Sequence, residues 1–364
     1  MFRPARLLLV GHRGAVARRN FSSSTSARAL VLNAGSSSVK YGLYDVNKVT
    51  REATELCAGL TERIGEPAEA TIRHRAADGT SVKAQVDMAD HAAALRVIVD
   101  QLTAEGGPIA KASDIEVVGH RVVHGGTSMT APAIIDSTVE AVIEKVIPMA
   151  PLHNPAHLQG IRVAREVFSA APHVAVFDTA FHATMPASAH TYALPKELIE
   201  EHGVRRYGFH GTSYTYLLQK AAEHLGRDAE SLNLIMCHLG NGASMAVVEN
   251  GRCVDTTMGL TPLEGLVMGT RAGDVDAGVL AFLGSHLKMS AKEIDTLLNK
   301  KSGARPPRPQ SSPLAAPSPL SPPAGLVGLC GTSDWRAVSA AAADGNADAQ
   351  LARAVFIERV RKYL

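Results

Sequence analysis

A strand, a turn of small residues and a second strand occur twice in this chain, and this recurrence constrains the fold more than any other feature of the sequence. The first copy is ALVLNAGSSSVKYGLYD at residues 29–45, and the second runs from an apolar segment at 232–237 through HLGNGAS to another at 244–248. A turn signal ends each copy, as Asp45-Val46-Asn47-Lys48 and as Glu249-Asn250-Gly251-Arg252, where Asn-Gly strongly favours a hairpin. The recurrence predicts a duplicated domain plan with a cleft between the two domains.

The hydrophobic pattern around these copies alternates helical and strand-like stretches. Helical spacing occupies residues 91–102 and 214–224, whereas short β-rich runs occupy 115–123, 174–177 and 253–256. A chain of 364 residues is long enough to bury two cores. We therefore predict an α/β protein of two similar domains, at residues 29–180 and 181–364.

The distribution of charge argues against nucleic acid as a partner. The formal net charge is +2, but the chain has no acidic residue before Asp45 to balance six arginines: Arg3, Arg6, Arg13, Arg18, Arg19 and Arg28. Subtracting these six from +2 leaves −4 for the rest, and a mildly acidic body does not suit a polyanion. No apolar run approaches the roughly 18 to 20 residues that a membrane span needs, so we expect no membrane segment.

Two segments stand apart from the folded body by composition. Residues 1–28 are rich in arginine and serine and contain no acid, which is typical of an organelle transit peptide, although a tail of no consequence has the same composition. We expect a mitochondrial location, with the plastid or the cytoplasm as alternatives. Residues 304–324 are rich in proline and serine without periodicity, which predicts a disordered insertion. The four cysteines are widely spaced, which suggests a reducing compartment.

The first small-residue turn is a candidate phosphate site. Hydroxyls and amides of Ser36, Ser37 and Ser38 can hold a phosphate or a metal-bound water, with Asn33 and Lys40 nearby. A serine-rich hairpin without function is the alternative.

The second turn and an isolated arginine form a parallel candidate. Gly240 and Gly242 flank Asn241 directly after His238, and glycines let backbone N–H groups approach an anion closely. Arg271 stands in the Gly- and Asp-rich run MGTRAGDVD, from which it can reach a phosphate.

Three charged or titratable residues lie at the ends of apolar segments. Arg121 ends an apolar strand and needs an anionic partner, which a structural salt bridge would also supply. Asp178 directly follows a short strand, where α/β folds place functional groups, and can orient a substrate or a hydrated metal. His210 in RRYGFHGTSY can stabilise developing charge, although an isolated histidine is more often a structural residue.

A zinc site is disfavoured, and the remaining candidates indicate phosphoryl transfer. His153 and His157 have the i, i+4 spacing of a zinc pair, but Pro155 lies between them and no third ligand follows. The chain has no Ser-His or Cys-His nucleophile signature. Two arginines, a histidine, an aspartate and two glycine-rich turns suit a reaction that needs positioning and charge neutralisation.

These motifs resemble the acetate kinase family. NAGSSSVKY, GHRVVHGG, PLHNPAH, VFDTAFHATMP, RRYGFHGTSY, HLGNGAS and MGTRAGDVD occur in the order and spacing of that family, across residues 29 to about 303. The resemblance implies two duplicated actin-like, ribonuclease H-like domains. It also implies reversible, direct in-line phosphoryl transfer between ATP and acetate, giving acetyl phosphate and ADP, with Mg²⁺ as cofactor and a homodimer as the assembly.

The resemblance also assigns roles residue by residue. Arg121 and Arg271 resemble the arginines that bind the carboxylate or acetyl phosphate, His210 the residue that stabilises the transition state, and Asp178 the acid that orients transfer. Residues that resemble the family's metal and phosphate turns are Asn33 for the metal and, for the phosphates, Ser36, Ser38, Lys40, His238, Gly240, Asn241 and Gly242. Residues that resemble the pocket for the methyl group are Val123, Leu152, Phe209 and Pro262. Residues that resemble the adenosine-side loop are Asp334 and Arg336.

Two departures from the family bear on activity. The segment at 304–324 interrupts KKSG and LVGLCGTSD, which suggests a retained in-frame intron. The chain also stops at Leu364, within the helix that precedes the family's last nucleotide-binding strand, so we expect an incomplete second domain without the late glycine-rich loop and metal-binding glutamate. The alternatives are a catalytically impaired fragment that only dimerises or binds a ligand, and a propionate or butyrate kinase.

Overall fold

The computed structural model describes residues 25–66, 68–299 and 324–364. The strands of these residues are β1 (Ser26–Ala34), β2 (Ser38–Asn47), β3 (Ala53–Glu62), β4 (Thr71–Ala76), β5 (Ser81–Gln85), β6 (Val117–Val122), β7 (Ala133–Ile134), β8 (His173–Phe177), β9 (Leu234–Leu239), β10 (Ala243–Glu249) and β11 (Arg252–Thr256). The helices are α1 (His91–Thr103), α2 (Ser137–Lys145), α3 (Asn154–Val167), α4 (Ala187–His190), α5 (Lys196–Glu200), α6 (Gly211–Leu225), α7 (Ala277–Ser285), α8 (Ala291–Asn299), α9 (Gly325–Cys330), α10 (Trp335–Ala343) and α11 (Ala347–Lys362).

The larger sheet has eight strands in the order β5-β4-β3-β2-β1-β6-β8-β7. Strands β1 to β5 form an antiparallel meander, whereas β6 runs parallel to β1 and β8 runs parallel to β6. Parallel strands bring their carboxyl ends to one edge of the sheet, which is where ligands bind in open α/β sheets. In this sheet that edge carries the ends of β1, β6 and β8.

Helices α1 and α3 bury their apolar faces against the larger sheet. Helix α1 begins after Asp90, whose side chain accepts a hydrogen bond from the Ala93 amide, and its buried face repeats at Leu95, Ile98 and Leu102. This spacing places three large side chains on one side of the helix. They pack in one cluster with strand residues such as Leu30, and burying a leucine side chain contributes roughly 1.5–3 kcal/mol to stability.

The smaller sheet has three strands in the order β11-β10-β9, and all its pairs are antiparallel. The predicted Asn-Gly turn joins β10 to β11 and is confirmed, with φ of 48° at Asn250 and 74° at Gly251. Two successive positive φ values are the geometry of a type I′ turn, which Asn-Gly favours. The sheet repeats the β1-β2-β3 pattern, and the α/β fold class is confirmed.

The first predicted turn lies further along the chain than expected. Strand β2 continues to Asn47, and the chain reverses over 48–52, where the amide of Arg51 donates to the Asn47 carbonyl at 2.9 Å. The reason is that β1 begins at Ser26, so its first residues pair with the end of β2, Arg28 opposite Asp45. The last three residues of the predicted leader, 26–28, are therefore strand residues.

Several predictions fall at the margins of the described residues. Residues 1–24 of the predicted leader and 304–323 of the predicted insertion lie outside them. The division at residue 180 stays a prediction, and the two sheets lie on either side of it, since β8 ends at Phe177 and β9 begins at Leu234. Among the helices of the described ranges, none is long and apolar enough to cross a membrane.

The last three helices form a small bundle of their own. Their buried cluster joins Val267 to Leu326, Val338 and Ala352. Val267 lies on the long loop between β11 and α7, so the bundle packs against that loop. This contact brings the end of α11 close to the residues of the second predicted site.

Candidate active site

Arg121 and Asp178 meet at the carboxyl ends of β6 and β8. Nη2 of Arg121 donates to Oδ2 of Asp178 at 2.6 Å, and Nε lies 3.1 Å from the same oxygen. The hydroxyl of Thr212, in the first turn of α6, donates to Oδ1 of Asp178 at 2.7 Å. The buried carboxylate thus holds the guanidinium in one orientation.

This ion pair keeps Asp178 ionised and leaves part of the Arg121 side chain exposed to a ligand. Burial alone would raise the pKa of Asp178, but the charge and hydrogen bonds of Arg121 and the Thr212 hydroxyl outweigh it, so the pKa lies below its ordinary value. The Asp178 side chain is 1% exposed, whereas that of Arg121 is 33% exposed. Arg121 can therefore touch a ligand while Asp178 anchors it from behind.

A close backbone approach sets His210 beside this pair. The Gly211 amide donates to the Asp178 carbonyl at 3.0 Å, and a Cβ at Gly211 would lie 2.1 Å from that oxygen. Only glycine fits there. His210 precedes it with φ of 60°, in the left-handed region, and opens α6.

The imidazole of His210 is held on both sides. Its Nδ1 lies 2.8 Å from the Ser244 hydroxyl, and its ring stacks on that of His238 with centroids 4.0 Å apart. Burial, the neighbouring His238 and the two arginines lower the pKa of His210 to about 3, although the Asp178 charge acts in the opposite direction. The ring is therefore neutral near pH 7 and can stabilise developing charge as a hydrogen-bond donor.

The second glycine turn brings His210 and Arg271 to the same point. The turn at 240–242 joins β9 to β10, and a Cβ at Gly242 would lie 3.3 Å from Nε2 of His210 and 3.5 Å from Nη1 of Arg271. The loop that carries Arg271 runs from β11 to α7. These three residues, far apart in sequence, thus surround one small volume.

Arg271 has a hydrogen bond but no carboxylate partner within the described ranges. Its Nη1 donates to the Pro262 carbonyl at 3.0 Å. Burial and the nearby Arg121 charge lower the pKa of Arg271, so the site already holds more positive charge than it balances. A mostly buried guanidinium without an acid is suited to an anionic ligand.

The apolar residues predicted to surround the methyl group are partly brought together. Val123 and Phe209 are buried, at 3% and 1% exposed, in one cluster. Its other buried members are Ala150, Ala243, Met245, Met258, Leu266 and Met268. Leu152 is 40% exposed and is not a member, and Pro262 contributes its carbonyl to Arg271.

The residues of the first turn lie at the end of β1. Asn33 pairs with Lys40 across β1 and β2, and the turn closes with a hydrogen bond from the Gly35 amide to the Ser38 carbonyl at 2.7 Å. Ser36 is exposed at the tip of the turn. Because β1 is parallel to β6 and paired with it, Asn33 lies at the same sheet edge as the Arg121–Asp178 pair.

The predicted adenosine-side residues lie on the surface next to the second turn. Asp334 caps α10 by accepting a hydrogen bond from the Arg336 amide at 2.9 Å, and the Arg336 side chain, 90% exposed, pairs with the same carboxylate. The neighbouring Ser333 approaches Gly269, whose amide donates to the Asn241 carbonyl at 3.0 Å.

The two histidines of PLHNPAH do not form a helical zinc pair. Helix α3 begins at Asn154, so His153 precedes it, and Nδ1 of His157 accepts a hydrogen bond from the Val123 amide at 3.2 Å. Within the described ranges no group of three or more His, Cys, Asp or Glu side chains could hold a metal ion. His157 therefore supports the chain directly after β6.

Sequence reasoning missed the hydroxyl residues that fix this site. Thr212 binds Asp178, Ser213 lies 2.9 Å from Nδ1 of His238, and Ser244 contacts both His210 and the Tyr214 hydroxyl. The available signal was their position directly after His210 in FHGTSY and at the end of HLGNGAS.

Comparison with known proteins finds related sequences over most of this chain. A sequence model described as the acetokinase family matches residues 28–306. Acetate kinase from Streptomyces avermitilis is 48% identical over 337 residues, covering 93% of this chain and 76% of that protein. Acetate kinase from Oleidesulfovibrio alaskensis is 45% identical over 340 residues, covering 92% and 78%.

Solved structures of similar fold include two acyl kinases. The acetate kinase of Porphyromonas gingivalis superposes with a TM-score of 0.79 at 40% identity, covering 93% of this chain and 78% of that one. A propionate kinase from Francisella tularensis superposes with a TM-score of 0.80 at 38% identity, covering 93% and 79%.

Proposed function

This chain belongs to the acetokinase family, and on that premise we propose how its own residues carry out the reaction. The reaction is reversible phosphoryl transfer between ATP and acetate, which gives acetyl phosphate and ADP. The chain is thus a phosphotransferase with a carboxyl group as acceptor. The observation that carries the proposal is the convergence of Arg271 and His210 beside Gly242, next to the Arg121–Asp178 pair.

The four polar residues of the site have different roles in the transfer. They are Arg121, Asp178, His210 and Arg271. Arg271, which has no carboxylate partner among the described residues, neutralises charge on the phosphoryl group as it is transferred. Arg121 binds the acetate carboxylate, and Asp178 holds Arg121 in place. Neutral His210 donates a hydrogen bond to an equatorial phosphoryl oxygen. This division suits phosphoryl transfer, in which positioning and electrostatic stabilisation supply most of the catalysis.

Val123 and Phe209 form the wall that receives the methyl group of acetate. Both are buried in one cluster, whereas Leu152 is 40% exposed and outside that cluster, and we keep it as a proposed part of the wall. A propionate kinase is the second candidate, because the Francisella tularensis propionate kinase superposes as well as the acetate kinase does. The size of the pocket next to Val123 decides between the two substrates.

ATP binds along both glycine turns. Residues of the first turn, Asn33, Ser36, Ser38 and Lys40, and of the second, His238, Gly240, Asn241 and Gly242, face the phosphates. Asp334 and Arg336 lie on the adenosine side, beyond Gly269.

Mg²⁺ is the metal we propose for this reaction. The described residues contain no protein-only metal cluster, which fits Mg²⁺ because this ion keeps several waters and binds chiefly through nucleotide phosphates. The Asn33 amide oxygen, at the sheet edge, is the protein ligand. When bound, Mg²⁺ neutralises charge on the β- and γ-phosphates.

Two further properties belong to the proposal. The active form is a homodimer, and residues 1–24, which precede β1, direct the chain to the mitochondrion. The first is tested by sedimentation of the purified chain, and the second by imaging a fluorescent fusion with and without these residues.

The direct test is an assay of acetyl phosphate formation from ATP, Mg²⁺ and acetate by the purified 364-residue chain. We expect acetate-dependent turnover that falls by at least about a hundredfold in Arg271→Ala. Arg162→Ala is the matched control, because Arg162 is an exposed arginine of α3 that pairs with Glu140 and Glu144. No acetate-dependent turnover, or an equal loss in the control, would refute the proposal.

A further inference from the structure

The end of helix α11 is hydrogen-bonded to the loop that carries Arg271. On this loop, Oδ2 of Asp274 accepts hydrogen bonds from the Tyr363 hydroxyl at 2.7 Å and from Nζ of Lys362 at 3.0 Å. Nη1 of Arg359 lies 3.2 Å from the same oxygen and also donates to the Asp274 carbonyl at 3.2 Å. We call Asp274, Arg359, Lys362 and Tyr363 the Asp274 clamp.

The Asp274 clamp also joins two parts of the loop, because Asp274 is hydrogen-bonded to Gly265. Asp274 is three residues beyond Arg271, and its Oδ1 accepts a hydrogen bond from the Gly265 amide at 2.8 Å, while its own amide donates to the Gly265 carbonyl at 3.0 Å. The clamp therefore fixes the two ends of the segment 265–274. The side chain of Arg271 within this segment is held by the Pro262 carbonyl and, at 3.8 Å, by the sulfur of Met268.

The same turn of α11 also reaches the apolar pocket. Val360 and Tyr363 pack against the cluster that contains Val123 and Phe209. Tyr363 thus has two functions, since its hydroxyl binds Asp274 while its ring contacts the cluster. Arg361, on the opposite side of this turn, is 71% exposed and pairs with Glu358.

Asp274 is ionised and is surrounded by hydrogen-bond donors from α11. Its side chain is 18% exposed and faces two cations and a phenol from α11. Burial would raise the pKa of Asp274, but the hydrogen bonds of Tyr363, Lys362 and Gly265 hold it below its ordinary value. The carboxylate is therefore ionised whenever the reaction runs near neutral pH.

We propose that the Asp274 clamp is a positioning device for Arg271 and for the acyl pocket, so that the seating of α11 sets the affinity for the anionic acyl substrate and the rate of transfer. This inference rests on the proposed function, because it takes Arg271 as the residue that contacts the transferring phosphoryl group. The clamp residues act through Arg271 and the pocket wall and do not touch substrate.

The test compares Tyr363→Phe and Asp274→Asn with the parent chain, using steady-state kinetics for acetate and for ATP. We expect Asp274→Asn to lower kcat and raise KM for acetate, with a combined loss of about a hundredfold, and Tyr363→Phe to lose about tenfold, while KM for ATP changes less than about twofold. Asp274→Glu should recover part of the loss. The control is Arg361→Ala, on the same turn of α11 but outside the clamp.

The outcomes separate the two proposals. Parent-like kinetics in a folded Tyr363→Phe, equal increases in both KM values, or the same loss in Arg361→Ala would each overturn the positioning role. If Asp274→Asn does not fold, Tyr363→Phe alone decides, because it removes one hydroxyl. A parent chain without acetate-dependent turnover would overturn the proposed function and the clamp's role with it.

Discussion

Replacing the two site arginines is expected to change the stability of the chain unequally, although both residues are needed for turnover. Arg121 neutralises Asp178, whose side chain is 1% exposed, whereas Arg271 has no acid partner among the described residues. Arg121→Ala leaves a buried carboxylate without its cation. Arg271→Ala removes a buried cation that nothing balances.

The size of each effect follows from these surroundings. Removing one partner of a fully buried ion pair costs about 3–5 kcal/mol, and because the Arg121 side chain is 33% exposed we expect about 2–3 kcal/mol for Arg121→Ala. In Arg271→Ala the lost hydrogen bond to Pro262 is offset by relief of the desolvated charge, so the free energy of unfolding should change by less than about 1 kcal/mol.

Scanning calorimetry at neutral pH measures the difference. We expect the melting temperature of Arg121→Ala to fall by about 3–5 °C and that of Arg271→Ala to stay within about 1–2 °C of the parent. Lowering the pH should reduce the difference in melting temperature between Arg121→Ala and the parent. In this variant no guanidinium lowers the pKa of Asp178, so the buried carboxyl takes up a proton more readily. An Arg271→Ala variant as unstable as Arg121→Ala would refute the reasoning.

Three other perturbations have defined outcomes. Gly242→Ala places a methyl group 3.3 Å from Nε2 of His210 and 3.5 Å from Nη1 of Arg271. We expect kcat/KM to fall about a hundredfold at an unchanged melting temperature, and a parent-like kcat/KM would show that the phosphoryl group does not pass beside Gly242. Val123→Ala should shift the ratio of kcat/KM values toward propionate by about tenfold, as a pocket contact worth roughly 1–3 kcal/mol per methylene predicts, and an unchanged ratio in competition assays would take Val123 out of the pocket. Acid should destabilise the chain, because four buried histidines have a pKa of about 3 or 4 in the folded chain and about 6.5 in the unfolded chain. Below pH ~6.5 the unfolded chain binds more protons than the folded chain, so each histidine lowers the free energy of unfolding by about 1.4 kcal/mol per pH unit. A melting temperature that is equal at pH ~7.5 and pH ~5.5 would contradict this reading of the buried residues His120, His124, His157 and His182.

Local signals in the sequence located strands and one turn well, because period-2 alternation and Asn-Gly chemistry act over a few residues. The Asn250-Gly251 turn is confirmed, whereas the first turn was wrong, since the length of β1, set by pairing with β2, decides where the chain reverses. The meander strands β3 to β5 carry weaker alternation and were not predicted. Each lies in an antiparallel arrangement that only the assembled sheet defines.

Partner choice over long separations could not be predicted. The sequence indicates that Arg121 needs an anion, but its pairing with Asp178, 57 residues away, depends on the parallel register of β6 and β8. The contact of Tyr363 with Asp274 spans 89 residues and depends on how the helical bundle packs. Leu152 is 40% exposed and lies outside the buried cluster of Val123 and Phe209, so its place in the pocket stays a prediction.

The left-handed backbone of His210 has a consequence for protein engineering. At φ of 60° a residue with a Cβ costs roughly 1–2 kcal/mol relative to glycine, so the fold carries this cost at the point where the imidazole is required. A design procedure that scores backbone conformation alone would replace His210 with glycine, although the exchange also gives up the contact with Ser244 and the stacking on His238. The resulting enzyme would have a less strained backbone and would be catalytically poor, which makes this residue a site of direct conflict between optimising the scaffold and keeping the chemistry.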